Sequence, residues 1–132
     1  MLTKSARLLD AARRSGVKVI HVSVKFRPGY PKRSANGGLW EALIQTNAVT
    51  EGTWGAKIHE AVAPQDGEPV VTKRAVSAFY GSDLAAILAT GDIDTLLLCG
   101  VATNFVVEGT AREAMDRGFN SVIVGDCCAA GA

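Results

Sequence analysis

The sequence predicts an α/β domain built on a parallel sheet with helices on both faces. Apolar, β-branched runs alternate with segments of helical spacing, the later connections are short, and glycines stand where helices should end. Strand–helix–strand succession with short connections requires parallel strands and right-handed crossovers, hence three layers. A length of 132 residues is enough for one domain and too short for two.

Each element has a local reason. Thr3 can cap a helix whose apolar positions Ala6, Leu9 and Ala12 recur at helical spacing, and Gly16 ends it as a left-handed residue. Val17 to Val24 is apolar on both faces apart from Lys18, His21 and Ser23, as expected of a strand buried within a parallel sheet. From Lys25 to Asp66 the pattern weakens. KFRPGYPKRSANGG reads as a long loop, Leu39 to Ile44 as a short helix, and Asn47 to Lys57 as loop again. Ile58 to Ala63 reads as another short helix, stopped at Pro64. Pro69 to Lys73 is a short strand, and Ser82 caps a helix over Asp83 to Ala89 that Gly91 ends. Thr95 to Cys99 is a buried strand, followed by a turn over Gly100 to Thr103. A helix from Asn104 to Arg117 is closed by Gly118, and Asn120 to Gly125 is the last strand.

Composition excludes several function classes. With 48% hydrophobic residues the chain is not a disordered one. A net charge of +1 argues against nucleic acid as the main partner, since phosphate binding draws on an excess of Lys and Arg. No apolar run approaches the ~20 residues of a membrane span. Met1 to Arg7 lacks the apolar core of a signal peptide, so a cytoplasmic location is expected. The three cysteines, Cys99, Cys127 and Cys128, form no CxxC pair, and His21 and His59 have no metal-ligand spacing, so no metal site is expected.

In open parallel sheets, ligands bind at the carboxyl ends of the strands. The loops after Val24, Val71, Cys99 and Val124 are therefore the candidates. The run GVATNFVVEGTAREA is a tight turn feeding directly into a helix, with amide groups suited to an anion or oxyanion. GxGxxG, GKS/T and GxSxG are absent, which disfavours dinucleotide, P-loop and serine-hydrolase chemistry. Arg27, Lys32 and Arg33 could guide an anionic substrate or simply be solvated loop residues. Phe26, Trp40, Phe79 and Tyr80 could wall a pocket or pack in the core. Lys73 by composition is a solvated lysine at a strand end. Cys99 reads as a small core hydrophobe, Cys127 and Cys128 as residues of a loop after the last strand, and Asp126 as a turn cap. His21 reads as a core or interface residue and His59 as a helix-surface one.

Three segments, GVATNFVVEGTAREAMDRGFNSVIVGDCCAA, VVTKRAVSAFYGSDL and AARRSGVKVIHVSVKFRPGYP, together resemble the isochorismatase-like (cysteine hydrolase) superfamily in collinear order over nearly the whole chain. The resemblance implies a Rossmann-like parallel sheet of order 3-2-1-4-5-6 in an α/β/α sandwich. It implies a site with an Asp on the first strand, a Lys after the third and a Cys at the start of the helix after the fourth. Lys73 matches the lysine, and the Val101–Ala102 bond matches a non-proline cis peptide that aims amides into an oxyanion hole. Val106 stands at the nucleophile position, and valine cannot attack a carbonyl. Nothing before Thr3 matches the first strand with its Asp, so residues 1–132 are expected to be a single domain incomplete at both ends, lacking the first and last strands. The function implied is hydrolysis of a small polar or carboxylate substrate, without metal or organic cofactor, by acid catalysis in place of a cysteine nucleophile. Arg27, Trp40, Tyr80, Thr103 and Asn104 are the expected substrate-binding residues, and a homo-oligomer is the expected assembly. The alternative is a non-catalytic family member or fragment serving as a binding or assembly module.

Overall fold

The computed structural model describes residues 1–30 and 38–131. Among the described residues four α-helices and four strands follow one another as α1 (Leu2–Arg14), β1 (His21–Val24), α2 (Gly38–Gln45), β2 (Val70–Lys73), α3 (Leu84–Thr90), β3 (Thr95–Val101), α4 (Glu108–Asp116) and β4 (Asn120–Ala129). Single 3-10 turns occupy Trp54–Ala56 and Glu60–Val62, and a π-helical turn over Thr103–Val107 leads into α4. The α/β class read from the sequence is the class observed.

β1 pairs with β2 and β3 with β4, both in parallel, and the two pairs are not hydrogen-bonded to each other. These are the neighbours that the order 3-2-1-4-5-6 gives when its first strand is left out. The core lies beneath the pairs. Val71, Ala78, Phe79, Leu84, Leu88 and Ala114 form one buried cluster, with Ile20, Leu96 and Phe119 packed against it. Burying such side chains contributes about 1.5–3 kcal/mol each. Phe119 stacks on Phe79 at 6.0 Å, and the Arg117 guanidinium covers the Phe79 ring at 4.9 Å. α1 lies against the 60–62 turn and β4 but buries none of its side chains. A fork from Arg13 to Glu68 (2.7 and 2.9 Å) pins it to the approach to β2. His21 Nε2 donates to the same carboxylate at 2.8 Å, because a carboxylate can only accept.

Several local expectations need correction. α1 begins at Leu2 with Met1 as its cap residue, so Thr3 lies inside the helix and caps nothing. Val17 to Ile20 stay outside the ladder, because β2 supplies only four partners and pairing starts at His21↔Val70. The helix expected over Ile58 to Ala63 shrinks to the 3-10 turn at Glu60–Val62. That turn is capped by His59, whose Nδ1 accepts from Ala61 N–H at 3.1 Å. Ser82 does cap α3 by accepting from Leu84 N–H at 3.2 Å, although Asp83 is the cap residue by position.

β3 is not a buried strand. Exposure alternates along it, with Leu97 and Val101 more than half exposed, because no strand lies along its free edge among the described residues. Cys99 shares that exposure and is no core hydrophobe. β4 runs on past Gly125 through a register shift opposite Leu98 and Gly100, so Cys127 and Cys128 belong to the strand and not to a loop. Asp126 caps no turn and accepts from Lys4 at 3.0 Å on the surface.

Candidate active site

The carboxyl ends of β1, β2 and β3 meet Val106 and Val107 of the helical run around one cavity of about 180 Å³. Val22, Val24, Leu98, Val101, Val106 and Val107 give it an apolar wall, and Lys73 enters from β2. Thr110 sits on the inner side, where its Oγ1 accepts from Ala78 N–H at 3.0 Å. That bond ties the segment after β2 to α4. It fixes Lys73, at one side of the cavity, relative to Val106 at the other.

Lys73 is 8% exposed, and its Nζ donates to the Ala75 carbonyl at 2.7 Å. Burial lowers its pKa to about 8. It therefore remains an ammonium at neutral pH but gives up its proton far more readily than a surface lysine. Among the described residues no Asp or Glu lines this cavity, so the cation faces it without a counter-charge.

The turn opposite is built for dipoles. The Val101–Ala102 peptide is cis. The Ala102 carbonyl accepts from Phe105 N–H (3.2 Å) and Val107 N–H (3.3 Å), which closes the π-helical turn. Thr103 and Asn104 lead this helical run, where N–H groups have no intrahelical acceptor and a partial positive charge accumulates. Val106 is half-buried on the cavity wall. The arrangement can hold an anionic or strongly polar group between an ammonium and a helix start. It offers no nucleophile at Val106.

The structure thus brings Lys73, Val101 and Val106 to one cavity, with Ala102, Thr103 and Asn104 following in the adjoining turn. The other three expected binding residues do not line it. Trp40 packs edge-on against Phe26 at 5.7 Å in a second aromatic cluster, where Tyr30 donates to the Ala48 carbonyl at 2.8 Å. Arg27 is exposed beside that cluster, and Tyr80 is 72% exposed on the surface. Lys32 and Arg33 lie outside the described residues.

Cys99 lines the cavity, which the sequence reading missed. Its partial enclosure, with the Cys127 and Cys128 thiols beside it, pushes its pKa up, so it is not an activated thiolate. The signal available in the sequence was its position at the carboxyl end of a strand. Among the described residues no group of three His, Cys, Asp or Glu side chains could hold a metal ion, and no helix is long and apolar enough to cross a membrane.

Parallel strand pairs flanked by helices, with a cation and a helical turn around an apolar cavity at the strands' carboxyl ends, define an α/β scaffold with its candidate site at the sheet's carboxyl end. Residues 1–132 match the Isochorismatase domain throughout, and the chain belongs to the isochorismatase family of hydrolases. It is 36% identical over 126 residues to a maleamate amidohydrolase from Pseudomonas putida, covering 94% of this chain and 57% of that protein. It is 34% identical over 118 residues to an N-carbamoylsarcosine amidase from Arthrobacter sp, covering 89% of this chain and 45% of that protein. The chain thus spans about half the length of these curated relatives. Among solved structures, an N-carbamoylsarcosine amidase from Thermoplasma acidophilum superposes with a TM-score of 0.84 at 29% identity, over 98% of this chain and 70% of that one. An isochorismatase family protein from Desulfovibrio vulgaris gives 0.89 at 29% identity, over 97% and 67%.

Proposed function

We propose that these residues form part of a hydrolase for small polar or carboxylate-bearing molecules, working by acid catalysis without a thiol nucleophile. The observation that supports the reading is the cavity itself, which Lys73 lines together with Val106, the residue that the resemblance sets at the position of the family's cysteine. In this reading the acid is an Asp on a strand outside residues 1–132. Lys73 sets its protonation, and Thr103, Asn104 and the Val101–Ala102 peptide bind the polar end of the substrate. The amide-cleaving relatives make maleamate and N-carbamoylsarcosine the first substrates to try, beside an isochorismate-type vinyl ether.

The test restores an upstream acidic strand, screens these three compounds, and repeats the screen with all three cysteines changed to alanine. Turnover that survives without cysteine is expected. Amide hydrolysis that vanishes with any one cysteine would overturn the acid route. Valine at position 106 also favours a second reading, a binding module that keeps the pocket without the chemistry. Absence of turnover on every substrate, with ligand still bound, would establish it.

A further inference from the structure

β3 and β4 lose register once, and the cysteines stand where it is recovered. Leu98 is matched to Ile123, and the next matched pairs are Gly100↔Cys128 and Val101↔Ala129. β3 therefore crosses the irregularity with Cys99 alone, while β4 uses residues 124–127. One step back from Gly100↔Cys128, Cys99 stands against Cys127. Matched positions on neighbouring parallel strands lie about 4.8 Å apart and present their side chains to the same face. A disulfide spans Cα atoms roughly 4.4–6.8 Å apart, so the pair is within reach. Cys128 belongs to the opposite face, and its Sγ donates to the Val124 carbonyl at 3.4 Å across the bulge.

The two thiols differ in access. Cys99 is exposed and lines the cavity beside Val101. Cys127 is 3% exposed, in the cleft where Lys4 and Arg7 of α1 meet β4. Both are free thiols. Cys99 is thus the thiol that a small solute meets first, and Cys127 the partner behind it. Partial enclosure, and then the Cys127 and Cys128 thiols, hold the Cys99 pKa up, which places the three within electrostatic range of one another.

We infer that Cys99 and Cys127 form a reversible modification site, joined as a cross-strand disulfide by exchange with a small disulfide of the glutathione kind. The Cys99 thiolate attacks one sulfur of that disulfide and expels one thiolate. The Cys127 thiolate then attacks the Cys99 sulfur and expels the other. One S–S bond forms and one breaks, two protein thiols are oxidised, and their two protons end on the released thiols. In a reducing compartment such bonds are transient and respond to the redox state. The bond closes the loop 99–127, which holds the 103–107 turn and all of α4. Oxidation therefore fastens the β3 wall of the cavity to β4 and constrains the unfolded chain. The inference stands apart from the hydrolase reading, in which neither thiol has a part.

The 132-residue chain is equilibrated without air in mixtures of oxidised and reduced glutathione, trapped with N-ethylmaleimide and weighed intact. The expected product is a monomer that takes up one maleimide in place of three, carries no glutathione and reverts with dithiothreitol. Tryptic fragments should join the peptide holding Cys99 to the one holding Cys127 and Cys128, and Cys128→Ser should still cross-link. Cys127→Ser should stop at a glutathione adduct on Cys99. The urea unfolding midpoint should be higher for the oxidised chain than for the reduced one, a shift absent from Cys99→Ser. Several results would overturn the proposal: a Cys127–Cys128 bond, a cross-link between two chains, a glutathione adduct as the end point in the native sequence, or no oxidation in any mixture. Cross-linking of Cys99 that survives in Cys127→Ser would do so too. The native chain alone separates the first four results, so they decide the matter even where Cys127→Ser fails to fold.

Discussion

Changing Lys73 to methionine separates the cost of burying the ammonium from everything else the residue does. Burial holds its pKa at about 8 against an ordinary 10.5. Below pH 8 the folded and unfolded states both carry the proton, and the burial cost is fully present. Between pH 8 and 10.5 the unfolded chain still binds the proton while the folded one releases it. Stability therefore rises with pH across that window. A lowering of this size corresponds to about 3 kcal/mol, and solvent at the open mouth of the cavity screens it to about 1–3 kcal/mol. Methionine keeps the apolar stem and does not titrate. Urea unfolding of both proteins at intervals from neutral pH to 10.5 gives the difference in stability, in which all other titrating groups cancel. That difference should move in favour of the native lysine by about 1–3 kcal/mol. A difference flat to within about 0.5 kcal/mol would refute the reasoning. Movement in the opposite direction would show that a carboxylate already partners the ammonium.

Acid should undo a different contact. The Arg13 fork, with help from Gln65 N–H and His21, holds the Glu68 carboxyl well below the usual carboxylate range. Its stabilisation is present above the ordinary carboxylate pKa and is lost as pH falls towards the depressed one, so Glu68→Gln should flatten an acid melting curve below about pH 4. Thr110→Val leaves the Ala78 N–H buried without its acceptor and should cost about 1–3 kcal/mol in unfolding free energy. Leu88→Ala opens the centre of the core, where the side chain is 1% exposed, and should cost about 2–5 kcal/mol in the same assay. Val106→Cys, in a protein with the acidic strand restored, should create hydrolysis of maleamate that iodoacetamide abolishes. An unreactive thiol at that position would count against the assigned cavity.

The alternation of helix and strand was legible because its punctuation is local. Gly16 and Gly118 stand at φ +72° and +87°, where residues with a side chain are strained, and helices end beside both. The lysine and the helical turn were legible through collinear motifs, since each lies next to a strand's carboxyl end. Burial was not legible. The run Thr95 to Cys99 is apolar enough for a strand covered on both faces, but what covers a strand is set by its neighbours, and β3 has one edge free among the described residues. Aromatic residues misled for a related reason. Phe26 and Phe79 are both buried, yet one anchors the Tyr30–Trp40 cluster and the other the main core. Residue type alone does not choose between two such clusters.

The hydrogen bond from Ala78 N–H to Thr110 joins positions 32 apart in the chain, and the strand pairs it bridges close over very different spans. β3, α4 and β4 follow one another within residues 95–129, whereas β1 and β2 are separated by the long connection from 25 to 69. Short closures cost less chain entropy and form first. The β3–α4–β4 unit should therefore gain amide protection in quenched-flow labelling before His21 to Val24 does. Simultaneous protection of both pairs would contradict this order. On this order the turn at 103–107 waits, already shaped, for Lys73 to arrive, and the cavity between them is the last part of the molecule to come into being.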